Sequence, residues 1–345
     1  MFLSYRDPLF GILEFFALVF VIASLSHVYN LYKNKKSTRE HNKLLRRFKL
    51  NRLKENDYIH LHQRYGLPFE SILLLASTFI KKGETSKAIG VYLSLLEIAQ
   101  NQIQKEQLLE HLGEAYHKTG MLQRAKDIYE KILKFSPRNK TALDNLFIIY
   151  EKLFQYDKAL QIIDVFEALD FDVEFQKLYI KTLQVIADTT IDEQNMLKTL
   201  LDMQKQNNEI TRVVATKILN TNKTFFWENI ESFALEDIID ILYLLEKKSI
   251  DFRIVKKYTC LSEIYTAKTY INEATKSENF YLNIIINLRD KKNNNATIGF
   301  KYSCKKCKNI FPLFQNRCPT CHDILSLKPT FGIIEQKEDT NDSLL

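Results

Sequence analysis

The sequence predicts an all-α chain: a solenoid of helical hairpins, preceded by a helix of membrane-spanning length and closed by a small four-cysteine metal module. Three observations carry that prediction. Among 345 residues there are only 8 glycines and 6 prolines against 46% apolar residues, which favours long helices over a glycine-hinged α/β enzyme or a turn-rich β-sandwich. A long apolar run lies near the start, and four of the five cysteines fall between Cys304 and Cys321. Five cysteines are too few for a disulfide scaffold, and their clustering reads as a metal site in a reducing compartment.

The apolar run covers 24 residues, Leu9 to Tyr32, and its only charge is Glu14. A helix needs ~20 residues to cross the hydrocarbon core. Phe10, Tyr29 and Tyr32 stand near its ends, where amphipathic rings favour the interface. Glu14 lies close enough to the outer edge to snorkel. Residues 33–54 then hold ten basic residues against one acid, Glu40; without them the chain has 39 basic and 41 acidic residues, so the net charge of +7 is local. Such a block beside an apolar segment sets topology: the first residues outside, everything after about residue 33 in the cytoplasm. A cleaved signal peptide fits less well, because Ser24-Leu25-Ser26 is a poor cleavage site and the basic block reads as stop-transfer. A buried core helix is disfavoured because residues 15–23 are apolar on every face.

The middle of the chain repeats itself at a period near 34. Its clearest unit carries Leu112-Gly113, Tyr116, Gly120, Ala125, Tyr129, Ile132 and Pro137. Before it, Leu75-Ala76, Phe79, Gly83, Ala88, Tyr92 and Leu95 occupy the same offsets; after it, Leu146-Phe147, Tyr150, Phe154, Ala159, Ile163 and Phe166 do so. This is the pattern of tetratricopeptide repeats. A small residue on helix A admits helix B, and an alanine on helix B admits the next hairpin. Pro137 stops the second hairpin. Tetratricopeptide repeats are therefore expected over 68–170. Degenerate helical repeats, two to four of them, are expected over 171–292, where EFQKLYIKTLQVIA (174–187) and ALEDIIDILYLLEKK (234–248) keep apolar residues three and four apart.

Other chemistry is sparse. Trp227 reads as core and Cys260 as a small buried hydrophobe. His60 and His62 fall in a polar connector and are not read as ligands; His111 and His117 read as surface or groove residues. There is no Gly-rich phosphate loop, GxSxG elbow or HExxH motif, so neither catalysis nor a small-molecule substrate is expected.

After an asparagine-rich loop (293–299) comes YSCKKCKNIFPLFQNRCPTC, with the spacing Cys304-x2-Cys307-x10-Cys318-x2-Cys321. Two such knuckles bring four thiolates to one tetrahedral ion. Sulfur-only coordination suits zinc or iron and the spacing does not separate them; zinc is the first choice. A closed four-thiolate shell has no open position for substrate, so its role is structural or interactive. His322 adjoins the last cysteine, but the shell is complete without it. Lys301, Lys305, Lys306, Lys308 and Arg317 could touch phosphate, yet no pattern of stacking aromatics accompanies them, so nucleic acid is not an expected partner.

One membrane helix, a tetratricopeptide array and a terminal four-cysteine module, in that order, resemble the lipopolysaccharide assembly protein B (LapB) family of Gram-negative bacteria. The resemblance is sharpest in EHLGEAYHKTGMLQRAKDIYEKIL (110–133) and in YSCKKCKNIFPLFQNRCPTCHDILSLKPTFGI (302–333), which is similar to that family's rubredoxin-like domain down to Lys328-Pro329. It implies a rubredoxin-like zinc-ribbon domain over 300–333 with Cys304, Cys307, Cys318 and Cys321 as ligands. It also implies an inner-membrane adaptor that presents the LpxC deacetylase to the FtsH protease and so regulates lipid A synthesis. On this partition residues 1–32 are the anchor, 33–67 a basic connector and 334–345 an acidic flexible tail. One departure is Lys308 after Cys307, where the family commonly has glycine, at a turn that wants positive φ. Two other readings remain: a rubredoxin-like electron-transfer or redox-sensing membrane protein, and a membrane-tethered ribbon that binds nucleic acid.

Overall fold

The computed structural model describes residues 8–49, 55–273, 276–290 and 296–335. Residues 50–54 of the basic connector, the asparagine run 293–295, the tail beyond Glu335 and the Glu14 side chain lie outside the described residues. The chain divides into two compact units, residues 1–149 and 150–345.

The first unit begins with one helix, α1 (Pro8–Lys49), which carries the apolar segment straight into the basic block. Its stretch Phe15–Lys33, of mean hydropathy 1.6, is long and apolar enough to cross a membrane and has no protein cover. Near its end, Arg47 pairs with Asp57 of α2 (Glu55–Tyr65) at 3.0 Å. Two helical hairpins follow: α3 (Phe69–Lys81) with α4 (Thr85–Ile98), and α5 (Gln102–Lys118) with α6 (Leu122–Phe135). Helix α7 (Lys140–Lys152) follows and runs across the boundary between the units. Ala76, Ala88 and Ala125 are fully buried, as the repeat pattern requires. At Gly113 an added Cβ would lie 2.7 Å from the Tyr129 ring, so only glycine lets α6 approach α5 this closely.

In the second unit come α8 (Tyr156–Glu167), α9 (Glu174–Ala187), α10 (Glu193–Gln206) and α11 (Thr211–Thr221), then α12 (Lys223–Glu228), α13 (Ile239–Leu244), α14 (Phe252–Val255), α15 (Thr259–Ala267) and α16 (Phe280–Asp290). Helix α9 spans the predicted 174–187. The predicted helix over 234–248 is instead broken into 3-10 turns at Leu235–Asp237 and Lys247–Ser249 around the six-residue α13. Distant side chains bind carbonyls at its end. The Leu242 carbonyl accepts the Tyr265 hydroxyl (3.0 Å) and the Leu245 carbonyl accepts Lys268 Nζ (2.8 Å), while Leu245 itself is extended. Trp227 is core, its indole N–H donating to the Ser249 carbonyl at 2.9 Å.

The chain ends in a three-stranded antiparallel sheet of order β2–β1–β3, with β1 Ala296–Cys304, β2 Ile310–Phe311 and β3 Leu327–Glu335. Residues 296–299, expected as loop, are strand: Thr297, Ile298 and Gly299 pair with Ile334, Ile333 and Gly332.

Candidate metal centre

Strand β1 delivers Cys304, and a tight turn returns the chain so that Cys307 faces it. The second knuckle, Cys318 to Cys321, repeats this geometry. In the first, the Lys308 N–H donates to the Cys304 carbonyl (3.0 Å) and the Cys304 N–H to the Asn309 carbonyl (2.9 Å); in the second, His322 N–H donates to Cys318 (2.9 Å) and Cys318 N–H to Asp323 (3.0 Å). Both turns need a left-handed residue straight after the second cysteine. Lys308 supplies it at φ 62° and His322 at φ 58°, so the lysine adopts the conformation for which glycine is the usual choice.

The four Sγ atoms lie within 4.8 Å of one another. Cys304 and Cys321 are 3.6 Å apart, and Cys307 and Cys318 3.5 Å. A tetrahedral ion with ~2.3 Å metal–sulfur bonds has sulfurs about 3.8 Å apart, so the donor set fits a metal ion. None of the four is in a disulfide. The Cys304 sulfur accepts the Cys307 N–H (3.4 Å) and meets Ser326 Oγ at 3.3 Å. Burial raises the Cys304 thiol, but the Ser326 hydroxyl and the N–H groups of Cys307 and Lys306 outweigh it and bring it down to about 6, whereas burial pushes the Cys321 thiol up to about 12. His322 does not join the cluster. His60 and His62 belong to no metal-like group among the described residues, and His62 Nδ1 faces the Leu67 carbonyl at 2.9 Å. Cys260 is half-buried, and burial pushes its thiol up. His111 stacks on Tyr92.

Around the cysteines, Tyr302, Cys304, Cys318 and Leu327 form a small buried core, with Phe300, Phe311 and Phe314 packed against it. Ile310 is 64% exposed. It lies on the two-residue edge strand β2. Ring contacts, Tyr243 with Phe300 and Tyr281 with Phe331, join the ribbon to α13 and α16, and polar contacts fasten it further. The Tyr302 hydroxyl donates to Asp240 of α13 (2.6 Å), which also receives both terminal nitrogens of Arg212 of α11 (2.7 and 2.5 Å). Burial, then Asp240, pushes the Tyr302 phenol up to about 12, so it remains a donor at neutral pH. The Arg212 guanidinium lies over the Phe314 ring at 3.8 Å. Lys328 pairs with Asp237 at 2.5 Å, Tyr243 Oη meets Thr297 Oγ1 at 2.9 Å, and Arg317 pairs with Glu151, which also accepts the Tyr179 hydroxyl. Sequence reasoning missed these residues. The available signal was a charge set among apolar residues, as with Arg212 in ITRVVA and Asp240 in IIDILYLL.

Tetratricopeptide repeat models match residues 71–102 and 106–139. Over 128 residues, 36% of this chain and 33% of the relative, the sequence is 27% identical to lipopolysaccharide assembly protein B of Escherichia coli (strain K12). These features fit a LapB-like protein. The chain spans about a third of the length of that LapB relative. It is also 28% identical over 120 residues, 34% of this chain and 66% of the relative, to photosystem I assembly protein Ycf3 of Prochlorococcus marinus. Among solved structures, MamA 41-end from Desulfovibrio magneticus RS-1 covers 48% of this chain and 92% of its own at 17% identity and a TM-score of 0.35. Arrays of such repeats present extended surfaces for binding other proteins.

Proposed function

We propose that this protein is a non-catalytic adaptor of the bacterial inner membrane, LapB-like in action, which presents the LpxC deacetylase to the FtsH protease and so limits lipid A synthesis. The observation that carries this reading is the joint presence on one chain of an exposed apolar helix, tandem tetratricopeptide repeats and a four-cysteine ribbon. The span 9–32 holds the protein in the membrane once, with its first residues in the periplasm; the basic residues of 33–54 keep the rest cytoplasmic. Residues 68–170 are the recruiting repeats, 171–292 continue the array, and 300–333 are the ribbon. Tethering confines adaptor, protease and client to one surface, which raises their effective concentration without any new contact.

In the ribbon, Cys304, Cys307, Cys318 and Cys321 would hold one zinc ion. When bound, the ion supplies four metal–sulfur bonds that fix the knuckles; the chain's own part is to present thiolates, with the Cys307 N–H and Ser326 hydroxyl directed at Cys304.

Crosslinking the full chain in its native cell, followed by purification, tests the adaptor reading. Recovery of an FtsH-type protease together with the deacetylase is expected. Recovery of neither, with the anchored protein abundant, would overturn it.

A further inference from the structure

We propose that Arg212 reads the metal state of the ribbon: the ion fixes the cysteines, they hold Tyr302 and Phe314 over the buried Arg212–Asp240 pair, and loss of the ion removes that cover and loosens α11 and α13. The inference rests on the reading that the four cysteines hold a metal.

Arg212 is 9% exposed and Asp240 only 1%. Taking such a pair out of water is costly unless every polar atom finds a partner, and losing a partner leaves an uncompensated buried charge. Here the partners come from two sources. The helical side supplies Asp240 itself and the Asp237 carbonyl, which accepts an Arg212 N–H at 2.8 Å. From the ribbon come the Tyr302 hydroxyl on Asp240, the Phe314 ring 3.8 Å from the guanidinium and the Tyr302 ring at 5.5 Å.

Tyr302 belongs to the buried core of the ribbon, and Phe314 packs against it; Cys304 and Cys318 are core members too. A ribbon this small cannot fix two aromatic side chains by apolar burial alone. The cysteines must do so. The path from ion to α11 therefore runs through atoms in contact, and the element at its end has two arrangements, covered and uncovered. Asp237 receives Lys328 of β3 as well, so release of the sheet frees the same helical edge. The uncovered state bares Arg212, Asp237 and Asp240 together, a charged seam that the metal-loaded state conceals.

Coupling between two sites is reciprocal. If the ion steadies the seam, the seam steadies the ion, and Arg212, which is not a ligand, must influence metal affinity. The test uses the full chain in detergent, with zinc titrated against a chromophoric chelator and amide hydrogen exchange followed in 211–221 and 239–244. In the unsubstituted chain, chelation should raise exchange in both helices. Arg212→Ala should still bind one zinc per chain, with affinity lower by roughly tenfold and with both helices exchanging fast even when loaded. Arg212→Lys should recover part of the affinity, because it restores the charge without the planar fork. Phe314→Leu, which removes the ring but keeps apolar volume, should move affinity in the same direction and decides the matter if Arg212→Ala fails to fold. Unchanged exchange on chelation, or full zinc affinity in both the Arg212→Ala and Phe314→Leu chains, would overturn the proposal. A chain that binds no zinc at all would instead overturn the ligand assignment beneath it.

Discussion

In the first two hairpins the interior is apolar and local. Tyr92 and Tyr129 lie buried beside Ala88 and Ala125, one helix against the next, with Gly113 giving α6 room. The ribbon has almost no interior of its own. Beyond a small core around the cysteines, it is tied by groups that reach partners far away in sequence: 62 residues from Asp240 to Tyr302, 91 from Asp237 to Lys328 and 166 from Glu151 to Arg317. Repeats gain stability by adding neighbours, so damage to one spreads only to the next. A ribbon that holds an ion through the four cysteines would be all-or-none, because fold and ion would then be one equilibrium.

The sharpest way to break that contrast is to remove the ligands. Cys304→Ser with Cys307→Ser should abolish metal binding by elemental analysis and unfold residues 300–333. Structural zinc in small domains is worth about 10–16 kcal/mol. The helical circular dichroism of the repeats should persist. Loss of helicity at the same low denaturant concentration would mean that the repeats depend on the ribbon, contrary to the comparison.

The repeats are probed by adding one methyl group. Gly113→Ala places a Cβ against the Tyr129 ring and should cost about 1–3 kcal/mol by urea denaturation, the usual range for overpacking. Tyr129→Phe should do no harm, because the buried Tyr129 hydroxyl has no hydrogen-bond partner among the described residues and its loss relieves a desolvated group. A destabilised Tyr129→Phe would show that the hydroxyl matters to the packing.

A smaller effect is read from pH within the ribbon. The Tyr302 phenol, raised from 10.0 to about 12, is more readily ionised in the unfolded chain than in the folded one. Its contribution to stability is therefore complete below pH 10 and lost as pH rises through about 12. Tyr302→Phe should flatten the loss of ribbon protection in that window, followed by hydrogen exchange in β1. An unchanged alkaline slope would assign the loss to other groups.

Legibility in the sequence followed the same divide. The repeat positions were readable because each hairpin restates one local rule: the small residues Ala76, Ala88, Gly113, Ala125 and Ala159 recur at fixed offsets, and all are buried. The cysteines were readable because metal geometry imposes short spacings. Arg212, Asp240 and Tyr302 were not, since nothing local tells one charge in an apolar helix which residue 28 or 62 positions away will satisfy it. The same blindness made 234–248 look like one helix. Its apolar spacing is helical, but the Leu242 carbonyl closes a tighter turn with the Leu245 N–H while also accepting the Tyr265 hydroxyl, and the Leu245 carbonyl accepts Lys268.

The smallest predicted effect concerns a position where the local rule is broken. Helices α3, α5 and α7 end alike: the N–H groups of Glu84, Met121 and Gln155 donate to the carbonyls of Phe79, Tyr116 and Tyr150, each at 2.9 Å. This six-to-one closure requires a left-handed residue just before it. Gly83 and Gly120 provide it at φ 79° and 76°, whereas Phe154 is forced there at φ 57°. A side chain in that region costs roughly 1–2 kcal/mol, while glycine carries an entropic cost of about 0.5–1 kcal/mol. The Phe154 ring is 75% exposed, so little burial offsets the strain. Phe154→Gly should therefore raise stability by about 0.5–1 kcal/mol, seen as a higher urea midpoint with unchanged m-value. The converse, Gly120→Ala, should lower it by a similar amount. If Phe154→Gly instead destabilises the chain, the exposed ring must be covered in the folded protein in solution, and α7 would owe its end to that contact and not to the backbone.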